Sequence, residues 1–353
     1  MKKLRMLLVL ILILMIATLI AGCSKYFGVK TDATLNTEIK TIEGETEINK
    51  NEEKKEWESK YNIIINEENV TFTDFRDQEV TITKNPERVV VLQNSLLEIW
   101  DQAGGTVIGR VEESEDKIIE NAMSAEVVGA VGSPSMEKVL SLKPDLVIVA
   151  SSYAAQKEMI PVLEQSGIEV IGLDNDLLED YYKTVRLFTA ITGREDLYEN
   201  NVNEIQKGVD EIISKVPTDK NYKAVILFAT AKSITVRDSN TMVGEMLKDL
   251  NTVNISDAAS DVTDTKTFSM EKIIQEDPDF IFVQTMGSDL EKIKERLKTE
   301  ALDNPAWASL TAVKEDRYIV LPKDLYLYKP NQRYPEAYEG LAKILYPEVF
   351  KEQ

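Results

Sequence analysis

Histidine is absent from this 353-residue chain and cysteine occurs once, which closes imidazole and paired-thiolate chemistry to it. A Ser-His-Asp relay would lack its base. No phosphate-cradling loop follows an apolar run either, since Gly129-Ala130-Val131-Gly132 is too short for a dinucleotide fingerprint. The side chains left to do chemistry are amides, hydroxyls, aromatics and cations placed just beyond apolar runs. They are Gln93 and Asn94 after Arg88-Val-Val-Val-Leu92, Arg110 after Ile108-Gly109, and Ser151, Ser152 and Tyr153 after Val147-Ile148-Val149. Further along come Arg237 after Ile234-Thr235-Val236, Met286 after Phe282-Val-Gln-Thr285, and a closing group of Tyr326, Tyr328, Lys329 and Arg333. Two aromatics beside two cations can stack on a planar ligand and pair with carboxylate or catecholate oxygens. They are equally compatible with a surface loop whose rings pack on the body, and at this level both readings stand.

Those positions matter because open α/β sheets bind small molecules beyond the carboxyl ends of their strands, and a repeat in the chain supplies such strands. SMEKVLSLKPDLVIV (135–149) and SMEKIIQEDPDFIFV (269–283) agree at Ser, Met, Glu, Lys, Pro, Asp and the final Val, at an offset of 269 − 135 = 134 residues. That spacing is too long for a solenoid repeat of about 20–50 residues and suits two lobes of ordinary domain size. Each copy reads as a short helix capped by its Ser, stopped by Pro144 or Pro278, and followed by a strand buried on both faces. An alternating pattern over 69–83 predicts a hairpin around Arg76-Asp77-Gln78. Strands at 88–92 and 106–109, helices at 96–102 and 156–165, and a strand at 169–172 continue the alternation of a parallel α/β sheet. Apolar residues Leu197, Val202, Ile205, Val209, Ile212 and Ile213 predict one helix over 196–216, ended by Pro217. It reads either as a rigid rod between two lobes or as a surface helix of one large domain.

The N-terminus has Lys2, Lys3 and Arg5 ahead of an uncharged run, the form of an export signal over residues 1–22. Leu19-Ile-Ala-Gly-Cys23 ends it and resembles a bacterial lipobox, which implies lipidation of Cys23 and anchoring by its acyl chains. Losing the three cations takes the formal charge from −20 to −23, which disfavours nucleic acid as a partner. Residues 23–68 are polar and charged and read as an acidic, disordered tether. The expected organisation is a lobe over 69–195, the joining helix over 196–216 and a second lobe over 217–353.

The order of lipobox, tether, PERVVVL, paired Ser-Met-Glu-Lys blocks, long helix and NPAWASLTAVKEDRYIVLP (304–322) resembles the substrate-binding lipoproteins of ABC importers for ferric siderophores, heme and vitamin B12. The resemblance spans about residues 69–350. It implies two Rossmann-like lobes with parallel sheets, a rigid joining helix and a ligand cleft between the lobes. It also implies a non-enzymatic monomer at the outer face of the cytoplasmic membrane, partnered by permease transmembrane subunits and their cytoplasmic ATPase. Glu137 and Glu271 stand where this family docks on permease arginines; the alternative is a carboxylate that merely favours a helix dipole. The absent histidine removes the usual direct ligand for zinc, manganese or heme, so the expected cargo is a metal already chelated. A ferric siderophore is the leading expectation, with heme or a corrinoid as the alternative and no cofactor or metal site intrinsic to the chain. An extracellular hydrolase on the same scaffold is the reading from another class.

Overall fold

The computed structural model describes residues 59–112, 118–257, 270–287 and 289–351. The export segment, Cys23 and Ser269 lie outside the described residues. Tyr61 onward forms one compact unit.

The folded body starts earlier than the tether reading placed it. Ile63 is buried, and β1 (Ile64–Ile65) adds antiparallel to the predicted hairpin of β2 (Asn69–Thr73) and β3 (Glu79–Thr83). The chain then enters β4 (Val89–Val91), helix α1 (Asn94–Gln102), β5 (Gly109–Arg110) and β6 (Glu126–Val127). A small hairpin of β7 (Gly129–Ala130) and β8 (Ser133–Pro134) leads to α2 (Met136–Ser141) and β9 (Leu146–Ala150). Helix α3 (Ala154–Gln165) and β10 (Glu169–Leu173) complete the first sheet. All its strands are parallel, in the order β10-β9-β4-β5-β6. This is the doubly wound order, with its switch point between β4 and β9, where ligands collect in such sheets. Every residue of β9 is buried, as a strand covered by helices on both faces requires.

Helix α4 (Leu178–Ile191) is buried nearly all round, from Tyr181 and Tyr182 to Ile191, and takes Thr184, Arg186 and Thr189 into the interior with its apolar residues. Helix α5 (Asp196–Ile213) is the long helix of the sequence pattern, about 27 Å at 1.5 Å per residue. It buries Val202, Ile205 and Val209, and a Cβ at Gly208 would lie 3.0 Å from Pro335. Glycine there permits the close crossing with the C-terminal helix.

The second sheet is built from β11 (Tyr222–Thr230), β12 (Ile234–Arg237), β13 (Thr252–Asn254), β14 (Phe280–Met286) and β15 (Tyr318–Val320). Its order is β12-β11-β14-β15, with β13 on the same edge of β11 as β12. All pairings are parallel except that of β11 with β12. The helices interleaved with it are α6 (Met242–Asp249), α7 (Met270–Glu276) and α8 (Leu290–Leu297), and α9 (Tyr334–Leu345) closes the chain. Trp307, Leu310 and Ala312 join its core.

The repeat is structural at nearly every matched position. Helices α2 and α7, the latter described from Met270, bury Val139 and Ile273, one offset apart. Ser135 caps α2 by accepting from Lys138 N at 3.3 Å. Lys143 and Asp277, each preceding the proline, take positive φ of 48° and 44° and turn the chain out of the helix. Asp145 then accepts from the backbone N–H groups of Glu87 (2.8 Å) and Arg88 (2.9 Å), and Asp279 from Lys223 N (2.8 Å). Each carboxylate staples its strand to the neighbour it pairs with.

Candidate ligand-binding site

A cavity of about 730 Å³ opens at the carboxyl ends of both sheets, within the range of roughly 300–1,000 Å³ usual for small-molecule sites. Gln93, Asn94, Ser152 and Tyr153 line it from the first lobe, and Phe228, Arg237, Gln284, Met286, Tyr326, Tyr328 and Lys329 from the second. The switch-point rule therefore brings most of the expected residues together.

In the first wall Gln93 and Asn94 lead into α1, and Tyr153 leads into α3. Asn94 Nδ2 donates to Glu112 O at 2.9 Å. Gln93 Oε1 and Asn94 Oδ1 are buried acceptors without a donor. Burial raises the Tyr153 phenol above its ordinary value, and Asp176 adds to the rise. Beneath this wall Gln156, fully buried, donates to Leu92 O and Val131 O at 2.8 Å each and accepts from Ala150 N at 2.9 Å. One side chain thus fixes the three segments that carry the wall.

In the second wall Arg237 stands at the end of β12 with its guanidinium 4.0 Å from the centre of the Phe228 ring. Burial lowers its pKa while Asp176 and Asp238 oppose that fall; the group stays charged. It has no hydrogen-bond or ion-pair partner for its side chain among the described residues. Met286 is 49% exposed, an accessible thioether. Tyr326 contributes its body and backbone only, because its hydroxyl turns away to donate to Ala337 O at 2.9 Å. Gly340 makes room for that hydroxyl, since a Cβ there would meet it at 2.3 Å.

Three expected residues fall elsewhere. Arg110 belongs to β5 itself, opposite Val91, and not to the segment beyond it. It is buried and donates to Ala122 O at 2.9 Å and Val111 O at 3.2 Å. Ser151 donates its hydroxyl to Asp174. Arg333 is exposed between two carboxylates, with Glu336 at 2.7 Å and Asp324 at 3.0 Å. The first lobe therefore supplies no cation to the cavity from its described residues. Asp176, Phe228, Glu112 and Gln284 are among the cleft residues that the sequence did not point to. Phe228 ends an apolar run, and its aromatic ring beside Arg237 is a signal visible only after β11 and β12 are paired.

The lobes are also tied across the cleft. Lys329 donates to Asp176 Oδ1 at 2.8 Å, Asn331 Nδ2 donates to Ser95 O at 3.0 Å, and Leu178 N to Glu245 Oε2 at 2.8 Å. On the outer surface Glu137 and Glu271 occupy the first turns of α2 and α7, exposed and without a hydrogen bond or ion pair to any described residue. Among the described residues no three Cys, Asp or Glu side chains gather as metal ligands.

Residues 89–325 match the sequence profile described as periplasmic binding protein. The chain is 30% identical to the ABC transporter substrate-binding lipoprotein YvrC of Bacillus subtilis, over 80% of this chain and 87% of that protein. It is 26% identical to the Fe(3+)-citrate-binding protein YfmC of the same organism, over 76% and 80%. An ABC transporter substrate-binding protein of Listeria monocytogenes superposes with a TM-score of 0.64 at 22% identity, covering 75% of this chain and all of the other.

Proposed function

The chain belongs to the periplasmic binding protein family, and from that membership we propose that it is the extracytoplasmic substrate-binding subunit of an ABC importer whose cargo is an iron(III) chelate. Arg237 carries the ligand reading. A half-buried guanidinium over an aromatic ring, without an acceptor of its own among the described residues, favours a ligand that presents an anionic oxygen beside a flat surface. Iron(III) chelates present anionic oxygens on near-planar chelate rings, and a relative with iron citrate in its name supports the class. Gln93, Asn94, Ser152 and Tyr153 supply hydrogen bonds from the opposite wall, and Tyr328 and Lys329 close the mouth. The second reading is a heme or corrinoid, favoured by the exposed thioether of Met286, which can serve as an axial ligand.

Glu137 and Glu271 are the permease-docking pair of this reading. The fold accounts for the Ser135 cap, the buried Val139 and Ile273, the left-handed turn and the stapling Asp, but it gives these carboxylates no partner among the described residues. Anchoring falls to Cys23 through its acyl chains. A permease with its ATPase completes the machine, and the binding subunit works as a monomer without a cofactor or catalysis of its own.

Native mass spectrometry and an absorption spectrum of protein purified from its own host test the cargo. An iron(III) chelate mass supports the reading; a porphyrin or corrin spectrum replaces it by the second, and turnover of the bound compound would make the protein an enzyme. The Glu137→Ala/Glu271→Ala pair should lower uptake while leaving ligand affinity within about twofold, since exposed first-turn carboxylates contribute little to the fold. Unchanged uptake would return both to a helix-dipole role. Cys23→Ser should leave a folded protein that no longer partitions with membranes.

A further inference from the structure

Two cations and two carboxylates decide the charge this cleft accepts. Lys329 is largely buried, with 15% of its side chain exposed, and is held by Asp176 at 2.8 Å. The same Asp176 lies close enough to Arg237 and Tyr153 to act on both electrostatically. Glu112 also borders the cavity. The described lining therefore carries two positive and two negative groups, inside a chain whose formal charge is −20. A polyanion entering here meets one unpaired cation, a resident carboxylate beside it and an unfavourable overall field. A chelate of low net charge meets none of that opposition. It can place one oxygen on Arg237 and offer N–H donors to Gln93 and Asn94, whose buried oxygens lack them.

We infer that Asp176 is a specificity-determining residue: it occupies the cationic side of the cleft as a built-in counter-ion, and so reserves the site for chelates of low net charge such as iron(III) trihydroxamates, excluding trianionic iron(III) tricatecholates. This rests on the iron-chelate reading above. Uptake of a neutral complex leaves the Lys329–Asp176 pair and its tie between the lobes in place. A tricatecholate would have to break that pair to gain Lys329, with the displaced carboxylate still facing the ligand.

The test is calorimetric titration of the mature protein and of Asp176→Asn with two probes, the iron(III) complex of a linear trihydroxamate and that of a cyclic tricatechol. The wild type should bind the trihydroxamate complex the more tightly. Asp176→Asn should shift the ratio of the two dissociation constants toward the tricatecholate by about fivefold or more, the scale expected when one charge is removed several ångströms from a polyanion. Asp176→Glu should restore the wild-type ratio. A wild type that prefers the tricatecholate, or a ratio that moves by less than that in Asp176→Asn, overturns the charge filter while leaving the iron-chelate reading intact. Failure of the wild type to bind either complex, or iron(III) citrate added as a third probe, overturns both.

Discussion

In the first lobe the strand after the repeat, β9, ends at Ala150 and gives the cleft Ser152 and Tyr153; in the second its counterpart β14 ends at Met286 and lies beside a wall that carries Arg237. The frames are alike down to the left-handed residue before each proline and the aspartate stapling each strand. The difference lies in the connections. After β4 the first lobe runs straight into α1, whereas after β11 the second lobe turns back into the antiparallel β12, whose last residue is Arg237. The arginine expected at the first lobe's cleft, Arg110, sits within a parallel strand and donates to two backbone carbonyls. A shared frame can thus bring a neutral wall and a cationic wall to one ligand, because charge is set by what is inserted between the strands.

The largest effect should separate those two arginines. Arg237→Gln removes a ligand partner and no protein hydrogen bond, so it should weaken chelate binding by about 2–4 kcal/mol, roughly 30- to 1,000-fold, with little change in thermal midpoint. Arg110→Gln should do the reverse. It leaves buried carbonyls of Ala122 and Val111 without donors, costing about 2 kcal/mol of stability, while the folded fraction binds ligand within about threefold of wild type. Titration and thermal unfolding of both variants check this, and interchange of the two outcomes would break the contrast between the walls.

The contrast also explains what the sequence disclosed. Buried strands, the long helix and the repeat were legible because each has a period or an internal copy. Helix α4 was less so: Glu179, Lys183 and Arg186 recur at helical spacing, yet the fold buries Arg186, Thr184 and Thr189 with the apolar residues, a burial that local pattern does not announce. Residues beyond strand ends do line the cavity, but a one- or two-residue error in a strand end misassigns a side chain. With its strand taken as Thr106–Gly109, Arg110 fell in the loop; with β5 at Gly109–Arg110 it falls in the sheet. Ser151 and Ser152 are adjacent, and only the second lines the cavity, while the first bonds Asp174. Asp176 carries no local signal, because its role comes from Lys329, 153 positions away.

A smaller effect sharpens the shared part of the comparison. Asp145 accepts from two backbone N–H groups and Asp279 from one. Asp145→Ala should therefore destabilise by about 2 kcal/mol and Asp279→Ala by about 1, read as shifts of the urea midpoint. Equal losses would mean that the second N–H, on Glu87, finds water at no cost.

The smallest effect belongs to Arg333, which the sequence grouped with Tyr326, Tyr328 and Lys329 as one cluster of cations and rings. Three residues separate it from Lys329, but the short helical turn Asn331–Arg333 lies there: Lys329 reaches across to Asp176, while Arg333 forks onto Glu336 and bonds Asp324 at the surface. Its side chain is 42% exposed, and both partners are more exposed than that. Such pairs are screened and lose side-chain entropy on forming, so Arg333→Ala should change stability by under about 1 kcal/mol. Chelate affinity should stay within about twofold, because no ligand in the cavity can reach a guanidinium held in this fork. A loss of binding comparable to that of Arg237→Gln would mean that Arg333 leaves its carboxylates when ligand enters. The cationic wall would then extend along the closing segment, and the charge balance that sets Asp176 against polyanions would have to be redrawn with a third cation.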